Sequence, residues 1–225
     1  VLAAAVLLAP AACSDDGTPG EGSTGTSVSP SSTSSTSAPT ATTVRGDDGT
    51  LDSLLLGATD LPAGFEESSE GVDETITSFC AGEDATAGLQ ASARAVRAFA
   101  RTPPGASVLQ VVFDFEGTGA ADFVAAADGI LERCSDVPDA TGLAFAYEPL
   151  APAVAAPLEG VEQSTGRYGV SAGSGSLTID VAVFRTGSVG QLVAVLGLDL
   201  PREELDALAA QAFTAAVART ADPSG

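Results

Sequence analysis

From residue 51 onward the apolar positions fall into clear periods, and the periods change from element to element. Leu51, Leu54 and Leu55 recur at helical spacing, and DLPAGF (60–65) ends that element in a turn. ASARAVRAFAR (91–101) would gather Arg94, Arg97 and Arg101 on one helical face. A loop, TPPGAS, and a strand follow it, so it is read as the first strand of a hairpin. VLQVVFDFE (108–116) alternates: Leu109, Val111, Phe113 and Phe115 point one way, and Gln110, Asp114 and Glu116 point toward solvent. GAADFVAAADGILERC (119–134) returns to helical spacing, with Phe123, Ala127, Ile130, Leu131 and Cys134 in one stripe that turns the thiol to the core.

Segments 143–150 and 161–171 read as strands around a Pro/Ala-rich loop. In 176–197, Leu177, Ile179, Val181 and Val183 alternate, RTGSVG turns, and Leu192 to Leu196 return. The last element is a helix with Pro201 and two Glu in its first turn. Its apolar stripe is Leu205, Leu208, Ala209, Ala212, Phe213, Ala216 and Val217. Strands grouped in hairpins with few helices predict an α+β domain, an antiparallel β-sheet with packed helices. That domain spans 51–225. Residues 14–50 are nearly all Ser, Thr, Gly, Pro and Asp, with too little apolar surface to offset the entropy of ordering, and are expected to form a disordered tether.

Charge narrows the function classes. The 225 residues carry 9 Lys plus Arg against 30 Asp plus Glu, a net charge of −21. All the basic residues are Arg, and His, Lys, Trp, Met and Asn are absent. Such a chain repels phosphates, which argues against nucleic acid, and acidity of this kind keeps a protein soluble. Without His there is no Ser-His-Asp or Cys-His relay and no HExxH zinc site. Without Lys there is no P-loop lysine, Schiff base or SxxK acyl enzyme. No catalytic residue, metal ligand or cofactor is assigned.

GVSAG around Ser171 fits the GxSxG elbow, but that motif needs a following helix and a histidine, and a Gly/Ser loop follows here. RGD at Arg45–Asp47 is read as coincidence, and DDGT (47–50) has too few spaced carboxylates for a calcium loop. SAGSGS (171–176) lacks the helix a phosphate cradle needs. Asp114 and Glu116, with Asp180 on another strand, would bind a cation or polar ligand if one sheet face lined a groove; a solvated face is the expected use. Arg167, Tyr168 and Arg185 would suit an anion, with a surface ion pair the expected use.

VLAAAVLLAPAAC (1–13) is far shorter than the roughly 20 apolar residues of a spanning helix and fits an export signal. Small residues before Cys13, then SDDG and the tether, resemble the bacterial lipobox, with Pro10 where leucine is usual. The resemblance implies that Cys13 is acylated and that the chain is held at the membrane, on its extracytoplasmic face. In that compartment Cys80 and Cys134, the two cysteines left, are expected to form a disulfide.

The order of lipobox, tether, LLLGATDLPAGF, a cysteine, VLQVVFDFE, a helix ending in Cys, VAVFRTGSVGQLVAVLG and LDALAAQAF resembles the sensor-domain lipoproteins of actinobacteria. Their domain is similar to the extracellular domain of PknH-type receptor kinases, and the PsbP-like lipoproteins have a similar layout. The resemblance implies a sheet and helices around a cleft that takes a ligand, and no enzymatic activity. It does not say which residues bind. A carboxylate-dependent hydrolase using Asp114 or Glu116, or an envelope interaction protein with no pocket, are the alternatives.

Overall fold

The computed structural model describes residues 50–69, 78–79, 83–102, 105–133, 144–151, 154–155, 161–172 and 175–221. Cys13, Cys80, Cys134, the signal segment, the RGD match and residues 14–49 of the expected tether lie outside the described residues, while Thr50, its last residue, opens the first helix. Along the chain the elements are α1 (Thr50–Leu54), a 3-10 turn (Ala58–Asp60), β1 (Glu66–Ser68), β2 (Ser78–Phe79), β3 (Glu83–Asp84), β4 (Ala91–Arg101) and β5 (Ala106–Phe115). They continue with α2 (Gly119–Arg133), β6 (Ala144–Glu148), β7 (Glu162–Ala172), β8 (Gly175–Thr186), β9 (Val189–Leu198) and α3 (Arg202–Ala221). Strands β2 and β3 pair with each other. The other seven form one sheet in the order β1-β4-β5-β9-β8-β7-β6, with every neighbouring pair antiparallel. The fold is therefore α+β, as the alternating patterns predict.

The turns follow from local chemistry. Gly187 and Ser188 join β8 to β9, and Gly187 sits at φ 62, a conformation glycine adopts without steric cost. Asp199, at φ 52, is the non-glycine exception among the described residues. Its backbone N–H donates to Ser176 O, and its carboxylate accepts from the Ser176 N–H at 2.9 Å, so the strained residue ties the end of β9 to the start of β8.

Helices cover the sheet on both faces. Leu109, Val111, Phe113 and Phe115 of β5 pack with Phe123, Ala127, Ile130 and Leu131 of α2, joined by Val181, Val183, Leu192 and Ala194. Phe113, Phe115 and Phe123 form an aromatic triad with centroids 5.3 to 5.5 Å apart. The opposite face carries Val108, Ala182, Phe184, Val193 and Val195 against Leu205, Leu208, Ala209, Ala212 and Phe213 of α3. Leu51, Leu54 and Leu55 of the α1 segment pack there too, against Ala95 and Val112.

This corrects the reading of β5 as a strand with a wet side. Gln110 is fully buried. The strand is apolar on both faces, since Val108 and Val112 share Gln110's side, and the polar residue is present because it has backbone to satisfy. Gln110 Oε1 accepts from the Leu56 N–H at 2.6 Å, and its Nε2 donates to Leu54 O at 3.2 Å and to Gln191 Oε1 at 2.7 Å. The chain leaving α1 thus exposes backbone groups to the core, and a buried amide supplies the missing partners. Arg97 adds a hydrogen bond from Nη1 to Leu56 O at 3.0 Å. Farther along, Asp60 accepts from Arg219 of α3 at 2.7 Å, fastening the same segment to the last helix.

Candidate functional site

Ala121, Val124, Ala125 and Asp128 stand at i, i+3, i+4 and i+7 of α2, so they share one helical stripe. Together with Glu162 and Gln163 at the start of β7 they line an open cleft of about 370 Å³. Three of its walls are small or apolar because the helix places alanines and a valine there. Asp128 is fixed by Ser164, whose Oγ donates to Asp128 Oδ1 at 2.8 Å. Glu162 faces Arg185 across the β7–β8 pair, and the two meet through Nε at 2.8 Å and Nη2 at 2.5 Å. That hydrogen-bonded guanidinium holds the Glu162 carboxyl below its ordinary range.

Tyr147 of β6 borders the same helix. Its ring lies over Gly166, where a Cβ would come within 2.7 Å of Tyr147 Cε2 and 3.5 Å of Leu131 Cδ2. A glycine at 166 therefore lets the ring lie across β7 and reach α2. Its centroid is 5.7 Å from that of Tyr168. Burial raises the Tyr147 phenol above its ordinary pKa, and the charges of Asp128 and Glu132 push it the same way. Burial, reinforced by Tyr147, raises Tyr168 as well.

The other sheet face holds a buried ionic cluster. Arg167 is 3% exposed and Asp180 0%. The guanidinium donates from Nε and Nη2 to the two Asp180 oxygens, both at 2.5 Å, and from Nη2 to Asp206 Oδ1 of α3 at 2.5 Å. Glu148 of β6 lies 3.8 Å from Arg167 Nη1 and 2.7 Å from Arg202 Nη2. Burial raises the Asp180 carboxyl, and its hydrogen bonds to Arg167 oppose that rise. The cluster joins β6, β7, β8 and α3, with each Arg167 donor group facing a carboxylate.

These positions sort the residues singled out from sequence. Arg167 belongs to a buried cluster rather than a surface pair, and alternation sends Tyr168 to the α2 face, so the two do not converge on an anion. Arg185 does make the surface pair expected of it. Asp114 is not in a groove with Asp180. In the register Asp114 stands opposite Val189 and Asp180 opposite Val195, six positions apart along β9, or about 20 Å. Asp114 instead accepts from Ser92 Oγ at 3.0 Å and Ser188 Oγ at 2.8 Å, while Glu116 is exposed just beyond the end of β5. Ser171 lies within β7, paired with Ser176 of β8, so GVSAG runs through a hairpin and not a strand–turn–helix elbow.

Asp128, Tyr147, Ser164 and Asp206 were not picked out from sequence. One signal was present: Asp128 interrupts the alanines of α2 on the stripe that begins at Ala121. Among the described residues, no helix is long and apolar enough to cross a membrane, and no group of three or more His, Cys, Asp or Glu is placed to hold a metal ion.

No protein-family profile matches the chain, and no curated protein matches it. Among solved structures, the chain is similar to a point mutant of the protein Mog1, with a TM-score of 0.31 and 14% sequence identity over 72% of this chain and 84% of that one. A likeness of that size carries no conclusion about fold or function.

Proposed function

We propose that this chain is a lipid-anchored, non-enzymatic binding module of the bacterial cell envelope, of the sensor-domain lipoprotein kind, displayed on the extracytoplasmic face of the membrane. The context of Cys13 carries the reading: a short apolar run, small residues, the cysteine, and then a tether rich in Ser and Thr. A flexible tether of about 37 residues has a reach of roughly 35 Å, enough to hold a domain clear of a bilayer. Cys80 and Cys134 then close a loop worth about 4 kcal/mol in the chain-entropy account of disulfides. The binding part of the reading draws support from the cleft beside α2, whose apolar wall ends in a carboxylate.

Metabolic labelling of the full chain with a fatty-acid probe, beside a Cys13→Ser variant, tests the anchor. Label on the parent and none on the variant is expected. An unlabelled parent found in the cytosol with Cys80 and Cys134 as free thiols would overturn it. Native mass spectrometry of protein purified from its own envelope tests the binding role, with a co-purifying small molecule expected. An empty domain that cleaves glycosidic or ester substrates would replace the module with an enzyme.

A further inference from the structure

The cleft beside α2 has one uncommitted charge. Ser164, 5% exposed, donates to Oδ1 of Asp128, and that is the one hydrogen bond to Asp128 among the described residues, so Oδ2 has no protein donor there. Glu162, on the opposite wall, is engaged by Arg185. What remains is an open trough of Ala121, Val124, Ala125 and Gln163, with Asp128 as the lining carboxylate that no arginine engages among the described residues. Its volume of about 370 Å³ falls within the range of small-molecule sites, roughly 300 to 1,000 Å³.

Building on the binding-module reading above, we propose that this cleft binds a small organic amine, its alkyl chain against Ala121, Val124 and Ala125 and its ammonium group on Asp128. Asp128, with Glu132 one turn farther along α2, disfavours phosphates and carboxylates in this region. Asp128 is exposed to solvent, so a neutral apolar molecule would cover the trough without using its charge, and the carboxylate would favour a cationic group on the ligand. An ammonium on a short chain meets both requirements. Ser164 holds the carboxylate in place, so little side-chain freedom is lost on binding.

The test is an amide chemical-shift titration of the full chain with 1,5-diaminopentane and, separately, with its uncharged counterpart 1,5-pentanediol. Saturable shifts at Ala121, Ala125, Asp128 and Gln163 with the diamine alone are expected. Asp128→Asn, which can still accept from Ser164, should weaken binding at least tenfold. Ala125→Leu fills the trough from an exposed helical position, keeps every charge, and should weaken binding as much even if Asp128→Asn disturbs the fold. Three results would overturn the inference: no saturable shift, an equal response to the diol, or shifts spread over the acidic surface that vanish at about 0.15 M salt. The two readings fail separately. A fatty-acylated chain that co-purifies a neutral molecule and ignores the diamine sinks this inference alone. An unacylated cytosolic chain that saturates with the diamine sinks the anchored module and leaves the cleft assignment standing.

Discussion

Arg167 on β7 and Asp180 on β8 stand directly opposite each other in the sheet register and meet in a two-pronged ion pair, with Asp180 wholly buried beneath α3. Removing the arginine strands a carboxylate in the core. Arg167→Leu should cost about 3 to 5 kcal/mol, the usual penalty for leaving one buried partner uncompensated. Arg167→Leu with Asp180→Leu removes the buried carboxylate together with its partner and should recover much of that loss, the remainder being the arginine that Asp206 loses. Urea denaturation midpoints of the parent, both single variants and the double variant form the cycle. Additive losses would show that the pair does not act as a unit.

The amide of Gln110 makes the α1 segment part of the core. Gln110→Leu strips a partner from the Leu56 N–H and should cost about 1 to 3 kcal/mol. Gln191 is equally buried, but its Nε2 has no hydrogen-bond partner among the described residues. Gln191→Leu leaves one Gln110 N–H unpaired but also removes that unpartnered amide, so it should cost less than Gln110→Leu. Hydrogen exchange at the Leu56 amide gives the local readout. It should quicken markedly in Gln110→Leu and little in Gln191→Leu.

Much of the architecture was legible because it rests on apolar period alone. The stripe from Leu205 to Val217, the alternation in β8, and the pairing of β4 with β5 each depend on side chains that pack against a neighbouring layer. Gln110 and Asp180 were misread for a common reason. A polar residue on an alternating strand looks like a solvent-facing one, and what separates the cases is its partner, 54 residues away for the Leu56 N–H and 13 away for Arg167. The cleft was invisible for a similar reason: Ala121, Val124, Ala125 and Asp128 come from α2 and Glu162 and Gln163 from β7, and their proximity is set by how α2 lies on the sheet.

Gly166 is where the space under Tyr147 can be filled. Gly166→Ala drives a methyl into the ring, with no backbone escape within the β7 ladder, and should cost about 1 to 3 kcal/mol by overpacking. Tyr147→Ala in the same chain removes the clash, so the double variant should be more stable than the sum of the two single losses allows. Thermal or urea unfolding of the four proteins checks this. Strict additivity would mean that Tyr147 does not lie over Gly166.

The two tyrosines, the whole phenol complement of the chain, give a pH signature that also tests the proximity of Asp128. Burial raises both phenols above the ordinary value of 10.0, and Asp128 and Glu132 raise Tyr147 further. A folded-state pKa above the unfolded one means that the native chain holds its phenol protons more tightly. The stability this contributes is complete below pH 10 and falls as pH rises from there through the folded values. Absorbance at the phenolate band should show both groups titrating above 10, with unfolding midpoints declining over the same alkaline range. Asp128→Asn removes one of the charges acting on Tyr147, so one of the two titrations should move down toward 10 while the other, Tyr168, stays. If neither phenol responds to Asp128→Asn, the carboxylate is not beside Tyr147, and the electrostatic picture of this end of the cleft fails.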